Sequence, residues 1–187
     1  MRLPSLRQSL FLFACVAGCN VATGHDLMAS VCTVRVRPDK LELQIKIAAD
    51  SIWPLVQETI APGAIFVLED FEREGKPLLV AFARTMEELT VDGVALTPRE
   101  TDVTVVEDNF VFTMVYRRPL GGVARLKENY LLRMPSGYLS RVRFLDQHDE
   151  VLSVKTLRGS DILFEMKLPL HPPKVPAAPL TASSVAR

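Results

Sequence analysis

The sequence predicts a mainly β protein, an immunoglobulin-like β-sandwich with one or two short helices inserted after the first hairpin. Apolar and polar residues alternate in roughly eight or nine short runs, which is the pattern of strands with one buried face. Turn-forming residues separate these runs at regular intervals, as they do in sandwiches. Two segments between residues 50 and 86 show helical spacing instead.

The first hairpin, residues 31–50, is the clearest element. Two alternating runs flank Pro38-Asp39-Lys40. A hairpin alone is marginally stable, so this one needs a second layer to cover its apolar face. That face is expected to hold Cys32, Val34, Val36, Leu41, Leu43, Ile45 and Ile47. Cys32 is thus interpreted as a small apolar core residue.

Two helices are predicted after this hairpin. The first begins near Asp50, a candidate N-cap, and has a proline early in its course at Pro54. Its apolar face would contain Ile52, Val56 and Ile60, and Pro62-Gly63 would end it. The second covers residues 77–86, where Leu78, Leu79, Phe82 and Met86 recur at helical spacing.

Alternation returns after the second helix. Asp92-Gly93 separates runs 89–91 and 94–96, which predicts a hairpin with a type I′ turn. A second hairpin pairs 102–106 with 110–116. The run 110–116 is apolar on both faces and is predicted to be the central, most buried strand. Further strands are predicted at 123–127, Leu139–Leu145, 151–157 and 162–167.

Residues 1–24 have the pattern of an export signal. Arg2 and Arg7 precede an apolar run at 10–17, which is followed by small residues. The run is shorter than the roughly 20 residues of a membrane span. Cleavage after Gly24 would make His25 the new amino terminus. Alternatively, residues 16–19 resemble a bacterial lipobox, which would make Cys19 a lipid-bearing terminus.

The alternating segments predict a β-sandwich domain at residues 25–168. The export signal predicts that this domain works outside the cytoplasm. The protein would be periplasmic or secreted or, with Cys19 lipidated, a membrane-anchored lipoprotein. Removing residues 1–24 leaves 20 basic against 22 acidic residues, a net charge of −2, which gives no electrostatic reason to expect nucleic acid binding. Cys32 would be the one remaining cysteine, so an internal disulfide is excluded. Residues 169–187 are proline-rich and predicted to be disordered.

Hydrolase, phosphate-loop, C-x-x-C and H-E-x-x-H motifs are absent from the sequence. Glu87-Glu88 is interpreted as a solvated strand edge. The protein is therefore expected to be a non-catalytic binding or accessory module that uses no cofactor.

One set of residues suggests metal binding as an alternative. A free His25 could chelate an ion through its amine and imidazole, and Asp146-x-His148 offers a carboxylate and a second imidazole. Such ligands suit copper or nickel. The three residues resemble the copper site of CopC-type periplasmic β-sandwich proteins, although that family's second nearby His and Met-rich patches are missing. Residues 146–150 also fit a simple polar hairpin tip.

A wider resemblance covers roughly residues 25–168. The order of signal, Gly24-His25-Asp26, alternating strands, helix and the segment LTVDGVAL at 89–96 is similar to the extracytoplasmic amino-terminal domain of HupE/UreJ-type membrane proteins. In that family several transmembrane helices follow the β domain; here a proline-rich segment does. The resemblance implies a stand-alone periplasmic domain that acts beside a separately encoded membrane protein.

Overall fold

The computed structural model describes residues 28–59, 62–63 and 70–170. The strands are β1 (Ala29–Val36), β2 (Lys40–Ala48), β3 (Glu87–Val91), β4 (Val94–Ala95), β5 (Glu100–Val106), β6 (Asn109–Arg117), β7 (Gly122–Glu128), β8 (Leu139–Leu145), β9 (Val151–Arg158) and β10 (Leu163–Leu168). The helices are α1 (Ala49–Thr59) and α2 (Lys76–Met86). A π-helical turn, Phe71–Gly75, leads into α2, and a 3-10 helix, Asn129–Arg133, follows β7.

The strands form two sheets that enclose one core. The six-stranded sheet has the order β5-β6-β2-β1-β8-β9, and the four-stranded sheet has the order β10-β7-β3-β4. The mainly β class and the sandwich are confirmed, with two short helices after the first hairpin. The described residues contain ten strands rather than eight or nine, and the two-residue β4 lies within the run predicted at 94–96.

The first hairpin forms as expected. β1 pairs antiparallel with β2, and Cys32 lies opposite Ile45. Every predicted inward side chain of this hairpin is at most 2% exposed. β1 also pairs in parallel with β8, with Cys32 opposite Val142. That long-range pairing places β1 and β2 at the centre of the larger sheet.

Both predicted helices are present. In α1, Ile52, Leu55 and Val56 are buried, while Ile60 lies outside the described residues. α2 begins one residue before the predicted start, with Pro77 in its first turn where the missing N–H removes no helical bond. Its buried face contains Leu79, Phe82, Ala83 and Met86.

The Asp92-Gly93 turn also matches its prediction. Asp92 has φ of 50° and Gly93 has φ of 80°, which are the positive values that a type I′ turn requires. The central position predicted for residues 110–116 is wrong. This segment lies in β6, second from the edge, because β5 pairs along its outer side. Apolar residues on both faces of a strand indicate that the strand is buried. They do not indicate its position among the other strands of the sheet.

Several predicted features fall outside the described residues. They are the export signal at 1–24 with Cys19, the candidate ligand His25, and all of the 169–187 segment except Pro169 and Leu170. Within the part of the chain that the structure describes, no helix has the length and apolar character needed to cross a membrane.

Candidate functional site

Two buried glutamates lie side by side in the core. Glu87 begins β3 and Glu128 ends β7, and the two residues are directly opposite in the antiparallel register. Both side chains point inward because each strand alternates, with Leu89 and Leu126 forming the next inward pair. Glu87 is 8% exposed and Glu128 is 0% exposed. We call these two residues the acid pair.

Hydroxyl groups from the six-stranded sheet and the 3-10 helix surround Glu128. The Tyr130 hydroxyl lies 3.5 Å from Glu128 Oε2 and 3.3 Å from Ser140 Oγ. Ser30 Oγ lies 2.8 Å from the same phenol oxygen. Ser30 and Ser140 are neighbours because β1 and β8 pair in parallel at this point. A hydroxyl network therefore contacts one face of the acid pair.

Glu87 is held by a hydrogen bond from the six-stranded sheet, which faces it across the core. The Tyr116 hydroxyl donates a hydrogen bond to Glu87 Oε1 at 3.1 Å. Glu87 Oε2 and Glu128 Oε1 are buried and lack a hydrogen-bond partner among the described residues. Buried polar atoms are usually paired, and an unpaired charged oxygen is especially unfavourable. The arrangement thus favours a protonated carboxyl group in the acid pair.

Burial also shifts the titration of these groups. Desolvation raises the pKa of Glu128 to about 7, although hydrogen bonds from Ser140, Cys32 and Tyr130 partly oppose that rise. Desolvation, reinforced by the negative charge of Glu128, raises the pKa of Glu87 well above its usual value. Both shifts favour the protonated form, because burial and the charge of a neighbouring carboxylate each disfavour ionisation.

An open cavity lies beside Glu87. Its volume is about 430 Å³. Glu87 and Tyr116 contribute to its wall, and Arg84 and Glu88 are its other charged lining residues. The remaining lining residues are Ala83, Leu89, Leu96, Thr97, Pro98 and Met114. We call this space the α2 cavity. It combines an apolar wall with a carboxyl and a phenol group, which is a common composition for small-molecule sites.

The nearest thiol is poorly suited to nucleophilic chemistry. Cys32 is completely buried, as the sequence predicted. Desolvation raises its pKa well above the usual value, and the nearby negative charges of Glu128 and Glu87 add to the rise. The reactive form of cysteine is the thiolate, so Cys32 is an unreactive core thiol here.

A second cavity of about 330 Å³ lies near the start of α1. Its lining includes Pro54, Leu55, Met134, Pro135 and Tyr138. Unlike the α2 cavity, it is not lined by a residue of the acid pair. The α2 cavity is therefore the stronger candidate site.

The structure places Asp146 and His148 in the exposed turn between β8 and β9. Asp146 Oδ1 accepts the backbone N–H groups of His148 at 2.7 Å and Glu150 at 2.9 Å. The bond from Glu150 is the main reason that the pKa of Asp146 is lowered. Arg37 donates to the carbonyl of Gln147 at 2.7 Å. Asp146 thus stabilises the turn itself.

The third candidate metal ligand, His25, lies outside the described residues. The carbonyl of Met28 accepts the N–H of Leu139 at the start of β8, whereas Asp146 follows the end of that strand.

No group of three or more His, Cys, Asp or Glu side chains suited to a metal ion occurs within 28–59, 62–63 and 70–170. Copper or nickel binding that involves His25 stays a prediction.

The interpretation of Glu87-Glu88 as a solvated edge is wrong for Glu87, which is buried, while Glu88 is exposed. Glu128 was not among the site residues predicted from the sequence. A usable signal was present, because Glu87, Leu89 and Val91 share one strand face, as do Ala124, Leu126 and Glu128. In both strands an acidic residue occupies an end position of a face that is otherwise apolar. That pattern indicates a buried carboxyl group.

No protein-family model matches this chain, and the search of curated proteins found no match either. The resemblances to HupE/UreJ-type domains and to CopC-type proteins therefore stay sequence-based predictions, and the candidate site depends on its geometry alone.

Proposed function

We propose that the protein is an exported, non-catalytic β-sandwich module that binds a small ligand in the α2 cavity and acts beside a membrane protein. The observation that carries this proposal is the cavity of about 430 Å³ next to the acid pair. Small-molecule sites are typically about 300–1,000 Å³, with apolar walls and a few polar groups. The export signal pattern at residues 1–24 supports the extracytoplasmic location.

The lining favours a ligand with an apolar body and a positively charged group. Glu87 and Glu88 are two of the three charged lining residues, and Arg84 is the third. Glu128 lies directly behind Glu87 in the sheet. A cation near these carboxyl groups would favour their ionised forms. Affinity is therefore expected to increase as pH rises through the raised pKa range of the acid pair.

The placement of the carboxyl oxygens supports binding rather than catalysis. Glu87 Oε1 accepts the Tyr116 hydroxyl, and Glu87 Oε2 is enclosed. A general acid or base must come within hydrogen-bond distance of the reacting group. Cys32 is enclosed as a protonated thiol. Because these contacts enclose the Glu87 oxygens and the Cys32 sulfur, we assign the cavity to recognition rather than to catalysis.

Nuclear magnetic resonance of methyl-labelled protein tests this proposal with three probes of one size: n-pentylammonium, n-pentanol and pentanoate. We expect n-pentylammonium to shift the Met114 methyl signal most strongly and pentanoate to shift it least. Leu96→Trp, which fills the cavity, should abolish the shift. Leu120→Trp is the matched control because Leu120 is 78% exposed and does not line the cavity.

Three results would contradict the proposal. The first is the absence of a Met114 shift with all three probes. The second is equal binding by the Leu96→Trp and Leu120→Trp variants. The third is hydrolysis of 4-nitrophenyl acetate or a 4-nitrophenyl glycoside that disappears in Glu87→Gln, since that result would make the site catalytic.

A further inference from the structure

The free edge of β9 carries an exposed apolar surface. β9 ends the six-stranded sheet, and β8 is its one neighbour in the described strand order. Val151 is 64% exposed, Leu152 is 42% exposed and Val154 is 49% exposed. Strand edges of this kind can pair with another chain unless charge, a bulge or a covering element prevents it.

The backbone groups on this edge have a definite direction. Arg158 and Asp161 exchange two backbone hydrogen bonds, of 3.1 and 3.0 Å, on the side of β9 that faces away from β8. In an antiparallel pair, alternate residues direct their N–H and C=O groups to the same side. Val154 and Thr156 therefore direct theirs to the open edge.

We propose that β9 pairs antiparallel with β9 of a second copy of this chain, around a twofold axis at Val154. The two six-stranded sheets would then continue into one sheet across the dimer. Twofold dimers use the same surface patch on both subunits, so the patch must complement itself. In this register Val154 lies opposite Val154 of the second copy, which buries an apolar contact at the axis.

The charges near β9 are compatible with this register. Lys155 lies opposite Ser153 of the second copy. The pairing covers residues 152–156 and stops before Arg158, because the edge-facing backbone groups of Arg158 are already bonded to Asp161. Lys155 could repel a second strand, but its Nζ is 2.8 Å from Asp161 Oδ1 and 3.0 Å from the Leu163 carbonyl. Shifting the axis to Lys155 would place two lysines directly opposite, which is destabilising. The charge pattern thus favours the axis at Val154.

The overall charge also favours a second copy as the occupant. Without residues 1–24 the chain has 20 basic and 22 acidic residues, a net charge of −2, and so small a net charge leaves little long-range repulsion between identical molecules. An unrelated partner would need its own strand complementary to the β9 edge. A second copy of this chain supplies such a strand, because its own β9 is the same edge related by the twofold axis. This surface is separate from the α2 cavity, which lies on the β5–β6 side of the larger sheet.

Sedimentation equilibrium of the full chain tests the proposal. We expect a concentration-dependent dimer whose dissociation constant rises at least about tenfold in Val154→Lys, because two lysines then meet at the axis. Val106→Lys is the matched control. Val106 is 47% exposed and lies on β5, the opposite edge of the same sheet. Circular dichroism and Tm measurements check that both variants remain folded.

A crosslink tests the register independently. In a Cys15→Ser/Cys19→Ser background, Val154→Cys should give a disulfide-linked dimer, because residues opposite each other in paired strands have suitable Cα separations of about 5.5 Å. Val106→Cys should not. A monomer at all concentrations, equal weakening by the two lysine variants, or equal crosslinking at both positions would overturn the proposal.

Discussion

The two edges of the six-stranded sheet differ in how far other parts of the chain cover them. β5 has α2 packed against it, and Lys76 of that helix lies 3.0 Å from Asp102 on the strand. The exposed positions of β5 include Glu100 and Asp102. β9 instead exposes Val154 and other apolar residues, and its lysine is bound to the neighbouring Asp161.

This difference separates two kinds of binding surface. The helix that covers β5 also contributes Ala83 and Arg84 to the α2 cavity, whose wall includes Glu87 of the acid pair. Leaving β9 open keeps unpaired backbone groups at the surface. The protected side is therefore suited to enclosing a small ligand, and the open side is suited to pairing with another chain.

The largest expected effect is the difference in the free energy of unfolding between a substitution in α2, which covers one edge, and a substitution on the exposed edge strand β9. Leu79 of α2 is 0% exposed, so Leu79→Ala should lower the free energy of unfolding by about 2–5 kcal/mol through lost burial and a residual cavity. Val154→Ala on β9 should change it by less than about 0.5 kcal/mol at a concentration where the protein is monomeric. Urea denaturation measures both, and similar losses would mean that the two edges are equally buried.

The next effect concerns pH and the acid pair. Burial raises the pKa of Glu128 from 4.5 to about 7, so the folded protein binds this proton more tightly than the unfolded chain. The resulting stabilisation is complete below about pH 4.5 and is lost as pH rises through about 7. At about 1.4 kcal/mol per pKa unit, the change is on the order of 3 kcal/mol.

Glu128→Gln should remove the Glu128 contribution to this dependence, because glutamine keeps the shape and does not ionise. The part that comes from Glu87, whose pKa is also raised by burial, should remain. Urea denaturation between pH 5 and pH 8 measures it. Glu88→Gln is the control, since Glu88 is the exposed neighbour of Glu87. An unchanged slope in Glu128→Gln would show that other groups control the pH response.

The smallest expected effect concerns the ion pair at the covered edge. Lys76 contacts Asp102 at 3.0 Å and Glu72 at 3.4 Å. Lys76→Met removes the charge and keeps an unbranched side chain, so we expect Tm to fall by at most about 3 °C. The difference should disappear in 0.5 M NaCl, because salt screens exposed ion pairs. A larger, salt-independent fall would mean that the lysine side chain stabilises α2 by packing.

Local patterns predicted the elements whose determinants are close in sequence. The first hairpin follows from strict alternation, and the turn at Asp92-Gly93 follows from the positive φ that aspartate and glycine tolerate there. The helix at α2 follows from Pro77 and the spacing of Leu79, Phe82 and Met86. In each case the residues that decide the structure lie within 20 consecutive positions.

The candidate site depended on contacts that no local pattern contains. Glu87 looked like half of a solvated acidic pair, yet α2 and the larger sheet enclose it. Its neighbour in the sheet, Glu128, is 41 positions away in sequence. The hydroxyl of Tyr116 reaches Glu87 from the opposite sheet. Only the packing of two sheets brings these groups together.

The sequence by itself determined the mainly β class, the inward faces of the first strands and the two short helices, because alternation and helical spacing are properties of consecutive residues. The tertiary structure decided which strands lie at the edges, which acidic residues are buried and where a cavity opens. Those properties depend on long-range pairing, such as the parallel contact of β1 with β8. Neighbours in space determine how much free energy it costs to bury a carboxyl group and whether a strand edge is left open. Residues adjacent in sequence do not determine which groups become those neighbours.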